Sequence, residues 1–155
     1  MALLTIVKEG EPILRKISRP IEVVDERIRT LAADMIETMR AANGCGLAGP
    51  QVGKLRRIVV VEVEEDNPYV LINPEIIRKS GHQQETEGCL SIPERWGITE
   101  RPMTVTVKAI GLDGKEYKVT GSGLLARAFC HEIDHLDGIL FTDRAIKMIT
   151  KDELE

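Results

Sequence analysis

The sequence predicts an α+β fold in one domain, residues 1–155, and three observations predict it. Two long segments carry apolar residues at helical spacing. Shorter runs are rich in β-branched residues. Those runs lie together between the helical segments instead of alternating with them, which favours α+β packing over a parallel α/β sheet. A chain of this length buries roughly 70% of its unfolded surface, enough for an ordinary core.

The elements follow in order. Residues 23–44, VVDERIRTLAADMIETMRAANG, read as a long N-terminal helix. Ile28, Leu31, Ala32, Met35, Ile36 and Met39 give it one apolar stripe, with Asp25 as N-cap and Gly44 as stop. RRIVVVEVE, residues 56–64, is a β-rich run, and YVLINPEII, residues 69–77, is a second strand ended at Pro74. SGHQQETEG, residues 80–88, reads as a polar loop. TVTVKAIGLDGKEYKVTG, residues 104–121, is a hairpin turning at Asp113-Gly114. GSGLLARAFCHEIDHLDG, residues 121–138, is a second helix, capped at Ser122 and stopped near Gly138.

Composition narrows the function classes. A net charge of −4 argues against a general binder of nucleic acid or acidic membrane. No stretch approaches the ~18 apolar residues of a membrane span. The segment ALLTIVKEGEP lacks the basic start and apolar run of a signal peptide, so a cytoplasmic location is expected. There, Cys45, Cys89 and Cys130 are thiols or metal ligands rather than a disulfide framework.

The chemistry concentrates in CHEIDHLDG, which holds two of the chain's three histidines. On a helix, His131 and His135 are about 40° apart in azimuth and about 6 Å apart along the axis. Both imidazoles therefore converge on one cation, and Glu132 sits beside that face, placed to meet a metal-bound water. HExxH is the zinc-hydrolase signature, with the glutamate as general base. A catalytic metal of this kind has three protein ligands and an open position. His82 lies in the polar loop and reads as solvated. Cys89 in EGCLSIP is the better third ligand: a thiolate suits zinc or ferrous iron, and Gly88 permits close backbone approach. Upstream, GCGLAGPQVG, residues 44–53, reads as a tight loop with exposed amides, ending near Gln51, a donor and an acceptor at once. Leu124, Ala128, His131 and His135 share one helix face, so Leu124 and Ala128 wall the space beside the metal, pack in the core, or do both. Cys130 lies about 100° from His131 and reads as packing. Trp96 is left open between the site mouth and the core.

Together the segments GCGLAGPQ, EGCLS and CHEIDHLDG resemble the peptide deformylase motifs GxGLAAPQ, EGCLS and QHExDHLxG, in the same order and at similar spacing. EPILRKIS and FTDR also look familial. The resemblance implies a hydrolase that removes the formyl group from the N-terminal formyl-methionine of new proteins and releases formate. It implies antiparallel sheets around a central helix carrying HExxH. It implies one divalent metal held by Cys89, His131 and His135, usually ferrous iron, with zinc, nickel or cobalt as substitutes. Glu132 matches the general acid/base, and Gln51 and the Leu90 N–H match the oxyanion donors. Gly46 matches a backbone contact to the bound peptide, and Leu124 and Ala128 flank the methionine pocket. The family pattern also implies that Arg101 pairs with Glu87 to brace EGCLS, with an ordinary surface arginine as the alternative. The implied partners are formyl-methionyl N-termini of nascent chains and, transiently, the ribosome, with neither nucleic acid nor membrane bound directly.

Two departures stand out. Gly49 replaces an alanine, which is expected to loosen the Gln51 loop, and Cys130 replaces a glutamine. The chain ends about 17 residues after Gly138, whereas many family members continue into a longer C-terminal helix, which puts in doubt a family role of that helix such as ribosome docking. HExxH alone also permits a general zinc peptidase, which Cys89 and the GCGLAGPQ loop argue against. A catalytically dead binding module would lack Glu132 or Gln51, and both are present.

Overall fold

The computed structural model describes residues 2–154. It combines helices with two antiparallel sheets. Helix α1, Glu26–Ala41, starts at Asp25, whose side chain accepts from the Ile28 N–H. It ends at Ala41, three residues before the expected stop at Gly44. Asn43 takes the left-handed conformation at φ 58, and the N–H groups of Asn43 and Gly44 bond back to Arg40 and Met39. That is a Schellman closure with asparagine in the usual glycine position.

A five-stranded sheet has the order β1-β2-β3-β6-β7. Its strands are β1 Gly46–Ala48, β2 Ile58–Val61, β3 Tyr69–Ser80, β6 Thr104–Ile110 and β7 Glu116–Ser122. Val59 and Val61 face a cluster shared with Phe129, Ile133 and Leu136 of helix α2, Leu124–Leu136. Ile58 and Val60 face the opposite cluster, with Ile28, Met35 and Met39 of α1. Burial on both faces explains why IVVV is a continuous apolar run without alternation.

Pro74 does not end β3. Asn73 adopts φ 50, and the pairing with β6 shifts register between Ile72 and Glu75. A proline within such an irregularity owes no ladder bond. The predicted hairpin joins β6 to β7, with Gly114 at φ 78 in its turn.

The stretch expected as a polar loop is largely strand. Gln83–Cys89 forms β4, paired with β5, Ile92–Arg101, and β8, Ala145–Ile149, completes a three-stranded sheet. Cys89 pairs with Ile92, leaving Leu90 and Ser91 as a two-residue hairpin turn. The start of α2 also differs from expectation. Ser122 belongs to β7, opposite Thr104, with their hydroxyls 2.9 Å apart, so Gly123 precedes the helix at φ 61. Short helices α3, Phe141–Arg144, and α4, Lys151–Leu154, flank β8. Among the described residues, no helix is long and apolar enough to cross a membrane.

Candidate metal centre and active site

Helix α2 presents His131, Glu132 and His135, all buried, and the β4–β5 turn brings Cys89 against them. One ligand atom from each of Cys89, His131 and His135 falls within 4.8 Å of the others. Cys89 Sγ lies 3.4 Å from His135 Nε2. His131 Nδ1 is 2.7 Å from Glu87 Oε1, which turns its Nε2 towards the cluster. His135 Nδ1 is buried without a hydrogen-bond partner among the described residues. One thiol and two imidazoles converging this closely fit a divalent transition metal, and the carboxylate behind His131 is the usual support for such a ligand.

That support is itself anchored. Glu87 accepts from Arg101 Nη2 at 2.7 Å and from Thr99 Oγ1 at 2.5 Å, so the expected Arg101–Glu87 pair is present. Arg101 Nη1 also donates to Asp134 at 2.7 Å, and Arg144 donates to the same carboxylate. Burial opposes the Glu87 charge, yet hydrogen bonds from His131 and Arg101 outweigh it and hold Glu87 below the ordinary carboxylate range.

Electrostatics split the two histidines. Burial pushes His135 well down, and the neighbouring His131 adds to that. Burial also opposes a proton on His131, but the charge of Glu132 and bonds to Cys89 and Glu87 raise it overall. Burial pushes Glu132 up to about 7. Its Oε2 lies 4.0 Å from His131 Nε2, while its Oε1 is buried without a partner among the described residues.

Gln51 ends up beside this cluster. Its Oε1 accepts from the Ala48 N–H at 2.9 Å, which aims Nε2 at Ser91 Oγ, 3.1 Å, and Cys89 Sγ, 3.5 Å. Leu90, outside the ladder, donates to no backbone carbonyl among the described residues. Gly46 faces Glu132 directly: a Cβ there would lie 2.5 Å from Oε2. At Gly49, where slack is expected, the loop is closely packed. A Cβ there would meet the carbonyl oxygens of Arg56 and Lys54 at 2.6 and 2.7 Å, so glycine lets that backbone close on the loop.

A cavity of about 340 Å³ opens onto these groups. Leu124, Ala128, His131 and Glu132 line it from α2, Gly46 from β1, Gln51 from the 3-10 turn after it, and Leu90 from the β4–β5 turn. His135, fully buried, lies behind the wall. Trp96 is half-buried, lines the cavity and packs on Gly88, and it belongs to none of the core clusters among the described residues. His82 is exposed, near Glu100 and outside the cluster. Cys130 is buried in the apolar layer between α2 and the sheet.

Sequence reasoning missed three neighbours. Ser91 partners Gln51, and Asp134 ties Arg101 to α2. Arg127 lines the cavity and donates to Gln83 Oε1 and the Thr86 carbonyl. Arg127 stands one turn before His131, so the helical period carries its signal. For Ser91 and Asp134 the sequence holds only proximity to the motifs.

Comparison with known proteins agrees with this geometry. The family model for polypeptide deformylase matches residues 3–151. A peptide deformylase of Acetivibrio thermocellus is 55% identical over 155 residues, covering 100% of this chain and 91% of its own length. One from Thermomicrobium roseum is 59% identical over 152 residues, covering 93% of this chain and 86% of its own. The crystal structure of the Thermotoga maritima peptide deformylase superposes with a TM-score of 0.90 at 38% identity, covering 94% of this chain and 99% of that one. With fold, motifs and relatives in agreement across nearly the whole chain, it belongs to the polypeptide deformylase family, enzymes that remove N-terminal formyl groups from nascent proteins.

Proposed function

We propose that this chain deformylates formyl-methionyl N-termini through one divalent metal held by Cys89, His131 and His135. The observation that supports it best is the convergence of those three donors within 4.8 Å, beside a buried Glu132 with one oxygen that has no partner among the described residues. We take α2 as the central helix enclosed by the two antiparallel sheets. Bound there, a divalent ion supplies Lewis-acid polarisation and a water of lowered pKa, towards ~7. Glu132 Oε1 takes the proton of the attacking water and passes it to the departing amine nitrogen. Gln51 Nε2 and the Leu90 N–H donate to the oxygen that becomes anionic when the formyl carbon turns tetrahedral. Gly46 offers its backbone to the peptide, and Leu124 and Ala128 wall the methionine side chain. The products are formate and a free methionyl amine.

The test is formate release from a formyl-methionyl peptide by protein purified without oxygen, with metal analysis of the same sample. One metal per chain and stoichiometric formate are expected. Cleavage of internal peptide bonds without formate release would favour a general peptidase instead.

The native metal in this reading is ferrous iron, with zinc, nickel or cobalt as substitutes. A thiolate on a redox-active ion oxidises readily, whereas zinc has no redox chemistry. Iron-loaded protein should therefore lose activity in air faster than zinc-loaded protein, with oxidation concentrated at Cys89 by mass spectrometry. Equal lifetimes would overturn that reasoning.

A further inference from the structure

Residues 2–7 form neither helix nor strand, and the chain turns only at Glu9 and Gly10, yet this segment is tied down along its length. The Ala2 N–H donates to Asp34 Oδ1 at 3.0 Å and the Leu4 N–H to Thr38 Oγ1 at 2.9 Å, both on α1. Further along, the Val7 N–H donates to the Gln51 carbonyl and the Glu9 N–H to the Ser91 carbonyl, each at 2.7 Å. Between them, Lys8 Nζ reaches the Leu90 carbonyl at 3.2 Å. Glu9 also accepts from Arg95 Nη1 at 2.7 Å, which fixes the far end to β5. The Val7 side chain packs with Leu14, Ile92, Leu140 and Phe141, a cluster that Cys89 joins.

These bonds join two loops of separate origin. Gln51 lies in the 3-10 turn Gly49–Val52, and its carbonyl is one of the orphans such a turn leaves at its end. Ser91 lies in the β4–β5 hairpin turn. Among the described residues, the hydrogen bonds that connect the two loops directly come from Gln51 Nε2 itself. That amide has to release them when it turns to a substrate oxygen. A tie that holds the loops at constant separation must therefore avoid the amide. Residues 7 and 9 supply it, because N–H groups two residues apart in extended chain point to the same side.

We propose that Val7–Glu9 is a positioning strap that sets the distance between the Gln51 amide and the Leu90 N–H. It acts through those two donors and so rests on their assignment above. The strap touches neither the formyl group nor the metal ligands' donor atoms. Its removal leaves the metal in place and misplaces the donors, and an error of 1 Å at such a site costs on the order of 10²-fold in rate.

The experiment compares V7P, V7A, Q51A and the Q51A/V7P double variant. V7P removes the N–H donor, while V7A keeps it and trims only packing. V7P should lower kcat by about tenfold or more, with one metal per chain retained and KM little changed. V7A should keep most of kcat. The double variant should fall below Q51A alone by a smaller factor than V7P falls below wild type, because changes that share the Gln51 donor are not additive. Should V7P fail to fold, replacing Val7 by its α-hydroxy analogue deletes the same N–H without a ring, and the same outcomes apply. Wild-type kcat in V7P alongside a slow Q51A would overturn the strap while sparing the donor assignment. Losses that multiply in the double variant would do the same. A Q51A variant with wild-type kcat would overturn both.

Discussion

Replacing Gly46 by alanine tests whether empty space holds the catalytic carboxylate in place. A Cβ at residue 46 would lie 2.5 Å from Glu132 Oε2, 2.8 Å from its Cγ and 2.9 Å from its Cδ. Comfortable contacts begin near ~3.5 Å, so Glu132 must retreat by about 1 Å or β1 must move. Glu132 is buried in α2 against the cavity wall, and the displacement falls on its side chain or on β1. A general base displaced that far loses on the order of 10²-fold in kcat, which lies inside the 10²–10⁴ that such a group contributes. Overpacking costs a further ~1–3 kcal/mol of stability, which for a chain of this size lowers Tm by roughly 2–12 °C. The assay is formate release at saturating formyl-methionyl peptide, with metal analysis and a thermal melt of the same sample. Metal content should stay at one per chain, because no ligand atom meets the new Cβ among its three nearest neighbours. Wild-type kcat in a folded G46A would refute the reasoning. A rise in KM alone would show that Gly46 serves only the peptide backbone.

Four further outcomes are expected. Cys89→Ala and His135→Ala should each lose metal by elemental analysis, and full retention in either would remove that residue from the ligand set. Glu132→Ala should keep the metal while turnover drops by at least ~10²-fold; lost metal or near-normal turnover would mean another role. Ala128→Phe should reduce use of formyl-methionyl peptides more than formyl-alanyl ones, and equal effects would place the methionine pocket elsewhere. Glu87, held below the ordinary carboxylate range by His131 and Arg101, contributes stability that is present above its unfolded pKa, about 4.3, and lost as pH falls through its folded value. Denaturant midpoints of wild type should therefore fall more steeply below about pH 4.3 than those of E87Q, and parallel profiles would contradict this.

The sequence by itself determined what short-range geometry controls. His131, Glu132 and His135 are four residues or fewer apart on one helix, so the helical period sets their relation before any packing is known. The same holds for the apolar stripe of α1, the Asp25 cap and the Asp113-Gly114 turn. Only tertiary structure decided the rest. Strand β4 escaped notice because its buried positions, Gln83 and Glu87, are polar, and their partners Arg101, Arg127 and His131 are distant in sequence. Alternation of apolar residues reports burial only where burial is apolar. Pro74 looked like a strand end because a regular ladder excludes it, and it was the register shift against β6 that admitted it. Ser122 looked like a cap, but pairing with Thr104 kept it in β7. Gly49 looked like slack, and the carbonyls of Lys54 and Arg56 turned it into a close contact. Cys89 reaches His135 from 46 residues away. That meeting depends on the β4–β5 hairpin folding back against α2, where long-range contacts and not local propensity set the position of every donor.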